Sequence, residues 1–160
     1  GEDIFWDPLF NGDVENATAA NPAHNSYAHQ ALVGQRAKTK WTSNAGSSDL
    51  IIANRGPRDG AFGESADSKS YTLQFHGSLS TWSGTIVSGD GASRLVQSAF
   101  PDGIAYQPLN GMPLGPDNIF DKEWNDVLVE DAPDGMASGD NWMVICAELI
   151  DENNMTASWD

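Results

Sequence analysis

Two runs rich in β-forming residues, TWSGTIV and SRLVQSAF, stand on either side of SGDGA. This stretch does most to limit the folds open to the chain. Branched and aromatic side chains fit a pleated surface, and Gly89-Asp90-Gly91 supplies the positive φ that a tight reversal needs. The pattern predicts an antiparallel hairpin of Trp82–Val87 with Arg94–Phe100. Similar punctuation recurs along the chain, where 16 glycines and 8 prolines divide 160 residues into short segments. Short strands between Gly/Pro turns point to an all-β domain, an antiparallel β-sandwich or a small jelly-roll-like barrel. No repeat of fixed period is present.

The remaining segments fill in that outline. SYTLQFHGSLS alternates, with Tyr71, Leu73 and Phe75 on one face and Thr72, Gln74 and His76 on the other, which predicts a half-buried strand. KTKWT and DLIIA read as strands, and NWMVICAELI as a continuous apolar strand covered on both faces. Val144 and Ile145 join Tyr71, Leu73 and Phe75 in the expected core. SYAHQALVGQ suggests a helical turn capped by Ser26. PDGIAYQPLNGMPLGPD, with four prolines and three glycines, reads as a long ordered loop without regular structure. After it, Phe120, Trp124, Val127 and Leu128 follow a helical spacing that opens at Asp117, although VLV equally suits a strand. Of the six tryptophans, Trp41, Trp82, Trp124 and Trp142 are assigned to the core, whereas Trp6 and Trp159 lie near the two ends.

The first ten residues, GEDIFWDPLF, carry Ile4, Phe5, Trp6, Leu9 and Phe10. They precede NGDVENATAANPAHN, whose small and polar residues cannot bury enough to fold alone. The chain therefore divides into an N-terminal arm with an apolar tip, residues 1–25, and a single β-rich domain, residues 26–160. The five apolar tip residues are candidate interface residues. The alternative is a tip that folds back onto its own sheet.

Charge is the strongest global signal, with 23 acidic against 8 basic residues and a net charge of −15. Residues 101–160 carry thirteen carboxylates against Lys122 alone, while 21–60 hold Arg36, Lys38, Lys40, Arg55 and Arg58 against Asp49 and Asp59. So negative a field repels phosphate backbones, which argues against nucleic acid as a partner. The asymmetry suits either a solvated acidic surface or a dipolar subunit whose basic patch meets an acidic neighbour. The longest apolar run, WMVICA, is far short of a membrane span. Cys146 is the single cysteine, so no disulfide forms within the chain, and its apolar surroundings suit an inert thiol.

No signature of catalysis stands out. The serine-centred Gly-x-Ser-x-Gly elbow and the phosphate-cradling Gly-rich loop are missing. His24 and His29, five apart, would sit about 140° from each other on a helix and cannot share a metal from one face. His76 falls on the polar face of its expected strand, where a solvated imidazole is the simpler reading. Asp131, Asp134 and Asp140 occupy one Gly-rich turn and Asp90 another. These are candidate oxygen ligands for a structural calcium, though they equally suit solvated turn aspartates; no other cofactor is expected.

The expected function is that of a non-catalytic structural subunit: a virion shell or decoration protein, or a cell-surface layer subunit. It would assemble through its arm with other copies of itself or with a larger particle, in an extracellular or virion-surface setting. The alternative is a secreted carbohydrate-binding β-sandwich. A hydrolase using carboxylates that spacing does not single out ranks third.

Overall fold

The computed structural model describes residues 27–57, 60–62, 73, 77–106, 113–122, 139–151 and 154–158. Among the described residues, eleven strands and one helix follow in chain order: β1 (Tyr27–Gln30), α1 (Gly34–Thr39), β2 (Leu50–Asn54), β3 (Gly77–Ser78), β4 (Thr81–Trp82), β5 (Gly84–Ser88), β6 (Ser93–Val96), β7 (Ala105–Tyr106), β8 (Gly115–Pro116), β9 (Met143–Val144), β10 (Cys146–Asp151) and β11 (Asn154–Ser158). Five of them form one antiparallel sheet in the order β6-β5-β2-β1-β9, and β3-β4, β7-β8 and β10-β11 make two-stranded ladders. The fold is all-β and antiparallel with one short helix. Among the described residues its main sheet stays open, with β6 and β9 at the edges, and does not close into a barrel.

The hairpin expected around SGDGA is β5-β6, with Gly84 opposite Val96, Ile86 opposite Arg94 and Val87 opposite Ser93. The Ser88 N–H donates to the Ala92 carbonyl (3.0 Å) and the Gly91 N–H to the Ser88 carbonyl (2.9 Å). Gly91 takes φ +83°, the left-handed conformation that a three-residue reversal demands and that a side chain would strain. DLIIA becomes β2, whose register shifts between Leu50 and Ile52. That irregularity turns both Leu50 and Ala53 inward although they are three apart, and leaves Ile52 41% exposed.

The two segments between residues 26 and 42 exchange their expected structures. Tyr27–Gln30 is a strand, because β1 pairs with β2 on one side and β9 on the other, and period two sends Ala28 and Gln30 into the interior. KTKWT is not a strand: α1 ends at Thr39 and a turn follows. Lys40 is buried and Trp41 is 51% exposed, the reverse of the expected core placement for Trp41. An ammonium can enter the interior where it meets oxygen partners, and Lys40 meets two.

Three further expectations change. Leu73 is buried as expected but has helical backbone, so the strand does not hold at that residue; Tyr71, Thr72, Gln74, Phe75 and His76 lie outside the described residues. No helix forms over 117–122. There Asn118 organises a turn instead, its carbonyl accepting from the Asp121 N–H (2.9 Å) and its side chain from the Phe120 N–H (3.4 Å), the local competition that short polar side chains offer to a helix. Trp124, Val127 and Leu128 lie outside the described residues. The Pro/Gly loop is clipped by β7-β8, and NWMVICAELI breaks at Ile145, passing from the sheet edge into the β10-β11 hairpin. Val144 and Ile145 are buried as expected.

The core lies against one face of the main sheet and gathers Leu50, Ala53, Ile86, Trp82, Ile119, Phe120 and Met143. Trp82 meets Phe120 edge to face with ring centroids 4.8 Å apart, a favoured aromatic geometry, and its indole N–H donates to the Arg55 carbonyl (2.8 Å). Phe120 lies so close over Gly56 that a Cβ there would fall 2.2 Å from the ring; only glycine permits that approach.

Candidate functional site

Two features carry what chemistry the described residues offer: a buried polar seam and an open sheet edge. The seam begins in α1, a six-residue helix with no side-chain cap, too short to persist on propensity alone. Arg36 and Lys40 anchor it. The Arg36 guanidinium donates to the Asp140 carboxylate, both side chains being fully buried, and lies 5.4 Å from the Trp142 ring centroid, within cation–π range. Lys40 Nζ donates to Asp49 Oδ1 (2.9 Å) and to the Gly139 carbonyl (2.7 Å).

Asn141 knits the seam to the sheet. Its side-chain carbonyl accepts from the Leu50 N–H at the start of β2 (2.9 Å). Its amide nitrogen donates to Asp117 Oδ2 (2.7 Å) and to the carbonyls of Ser48 and Gly139 (both 3.1 Å), and its own N–H donates to Asp117 Oδ2 (3.0 Å). Three segments distant in sequence are thereby joined. Asp117 Oδ2 accepts from Asn141, and Asp140 Oδ2 from Arg36. Both oxygens thereby satisfy buried donors.

The seam also bears on the basic balance of residues 21–60. Arg36, Lys40 and Arg55 are buried. In a chain with 8 basic residues, that withdraws much of the positive surface. Arg36 finds its carboxylate in the acid-rich 101–160 segment, so part of the charge asymmetry is settled within one chain. The sequence signal that could have found this was the scarcity of bases itself, since few cations among many acids invite internal pairing.

Of the candidate calcium ligands, Asp90 is exposed at the tip of the β5-β6 turn, accepting from the Ser88 hydroxyl (2.7 Å) and the Ala92 N–H (3.0 Å). Asp140 is held by Arg36 in the interior. Asp131 and Asp134 lie outside the described residues, as do Ile4, Phe5, Trp6, Leu9 and Phe10. Among the described residues no three His, Cys, Asp or Glu side chains gather as a metal site would require.

The two bonds to Asp90 have a consequence for pH. The Ser88 hydroxyl, then the Ala92 N–H, hold its carboxyl below the ordinary aspartate value. A carboxyl whose folded pKa is depressed stabilises the fold above its unfolded pKa, about 3.9, and loses that contribution as the pH falls through the folded value. Wild type is therefore expected to melt slightly above Asp90→Ala at pH 7. The gap should narrow below about pH 4. Thermal melts of both chains at pH 7 and pH 3 check this, and a gap that widens in acid would contradict it.

The second feature is β6, which ends the sheet order. Leu95 on it is 72% exposed. A cleft of about 500 Å³ lies beside it, lined by residues 94–98 and by Phe100, Pro101 and Asp102. Tyr27 and Ile52, 40% and 41% exposed, share the outer face of the sheet with Leu95 by register. Sequence reasoning found the hairpin but not that its second strand would be an edge, because strand order belongs to the whole sheet. Among the described residues no helix is long and apolar enough to cross a membrane. No family model matches the chain, and neither a curated protein nor a solved structure does.

Proposed function

We propose that the chain is a non-catalytic structural subunit that assembles through its N-terminal arm with copies of itself, or onto a larger particle such as a virion shell or cell-surface layer. The observation that carries this reading is the apolar surface left open on the main sheet: Tyr27, Ile52 and Leu95 on its outer face and Phe100 beside its edge. A chain that buries three of its few cations inside yet leaves large aliphatic and aromatic side chains in solvent has a surface suited to a partner. The arm supplies apolar residues in turn. Its fifteen-residue polar segment would reach roughly 50 Å when extended, at about 3.3 Å per residue, enough to cross a subunit boundary.

Deleting residues 1–10 tests the reading. Assembly should weaken by at least tenfold in concentration while the melting temperature of the monomer hardly moves. A monomer that loses several degrees on truncation would place the tip in its own core and overturn the proposal.

Carbohydrate binding is the second reading, favoured by Trp41, which is 51% exposed in the turn after α1 and offers an aromatic face of the kind on which sugars stack. A monomeric chain retained on a polysaccharide column would support it.

A further inference from the structure

We infer that the receptor for the apolar tip is the free edge of β6 in a second copy, where Ile4-Phe5-Trp6 adds as a short antiparallel or parallel strand; this rests on the assembly reading above. The hydrogen-bond phase of the β5-β6 hairpin fixes which groups are on offer. Ser88 and Ala92 close it through the Ser88 N–H. Counting back along the register, Ile86–Arg94 and Gly84–Val96 are the hydrogen-bonded pairs, and Val87–Ser93 and Thr85–Leu95 are not. Ser93 and Leu95 therefore turn their N–H and C=O groups away from β5, toward the open edge. No strand pairs with that edge among the described residues. An exposed edge of this kind is a template for a further strand.

The tip suits the edge in sequence, length and charge. Ile4, Phe5 and Trp6 are strand formers, and Pro8 ends any ladder two residues later because it has no N–H to give. Three or four residues match the four of β6. The cleft formed with residues 98–102 gives the aromatic side chains a place against Leu95, Val96 and Phe100. Arg94 on the rim is exposed, and its guanidinium donates to the Asp102 carbonyl (3.0 Å) with no carboxylate on it among the described residues. Glu2, Asp3 and Asp7 flank the tip and supply the opposite charge. The occupant is the tip of a second copy, as the assembly reading requires.

Leu95→Pro is the direct test. It removes the outward N–H while leaving the β5-β6 ladder bonds, because Leu95 sits in a non-hydrogen-bonded pair. Leu95→Glu is the second variant; it keeps the backbone and sets a like charge against the acidic tip. Sedimentation velocity of the full-length wild type and both variants at about 0.15 M salt, where repulsion between acidic copies is screened beyond about 8 Å, should show at least a tenfold rise in the dissociation constant for each. Circular dichroism and the melting temperature report whether each variant folds, and Leu95→Glu decides the matter if Leu95→Pro does not. If both folded variants assemble as wild type does, while deletion of residues 1–10 abolishes assembly, the tip docks elsewhere and this inference falls with the assembly reading intact. A wild type that is monomeric throughout removes both.

Discussion

Asp140→Ala is expected to destabilise the protein by about 3–5 kcal/mol, the usual cost of removing one partner from a buried ion pair. Asp140 and Arg36 are both fully buried, and alanine takes from the buried guanidinium its carboxylate partner. The pair also sets α1 against the segment leading into β9, with Trp142 beside the same guanidinium, so the loss should spread to the docking of the helix. In a domain whose whole stability is of order 5–15 kcal/mol, such a change is large. Replacing both partners with apolar residues of similar size, Arg36→Met with Asp140→Leu, should cost much less than either single change, because it removes two desolvation penalties along with the attraction. Urea denaturation of the single and double variants measures this. A double variant as unstable as the sum of the two singles would mean that the pair is not the unit that matters.

Trp82→Ala should cost a similar amount, about 3–5 kcal/mol. Trp82 is wholly buried, packs edge to face on Phe120 and donates to the Arg55 carbonyl. Alanine would leave a large cavity and a carbonyl without that donor at the centre of the core. Trp82→Phe keeps most of the volume and loses the N–H, so it should fall by only about 1–2 kcal/mol. Equal losses for the two variants would show that the hydrogen bond, and not the packing, dominates at this position.

The contrast between Trp82 and Trp41 shows how far the sequence could be read. Both sit in patterns that suggest strands, yet one is fully buried and the other half exposed. The β5-β6 hairpin was legible because its determinants are neighbours: the turn glycines lie between the two strands they join. β2 was legible for a similar local reason, a short β-branched run before a turn. The polar seam was not. Arg36 and Asp140 are separated by 104 positions and Lys40 and Gly139 by 99, so no window of sequence contains both halves of either contact. Once those contacts exist, they settle α1 against the strand pattern of KTKWT. In the same way β1 is a strand because β2 and β9 flank it, and its four residues alone fit a helical turn equally well. The apolar tip was plain from its composition, while the open edge proposed as its receptor emerges only from the order of strands.

Sedimentation equilibrium of the intact chain over a wide range of concentrations tests the central claim most directly. The assembly account predicts a weight-average mass that climbs above 17.2 kDa toward a multiple of it, reversibly, and that returns to the monomer value when residues 1–10 are removed. A mass that stays at that of one chain at every concentration would contradict it.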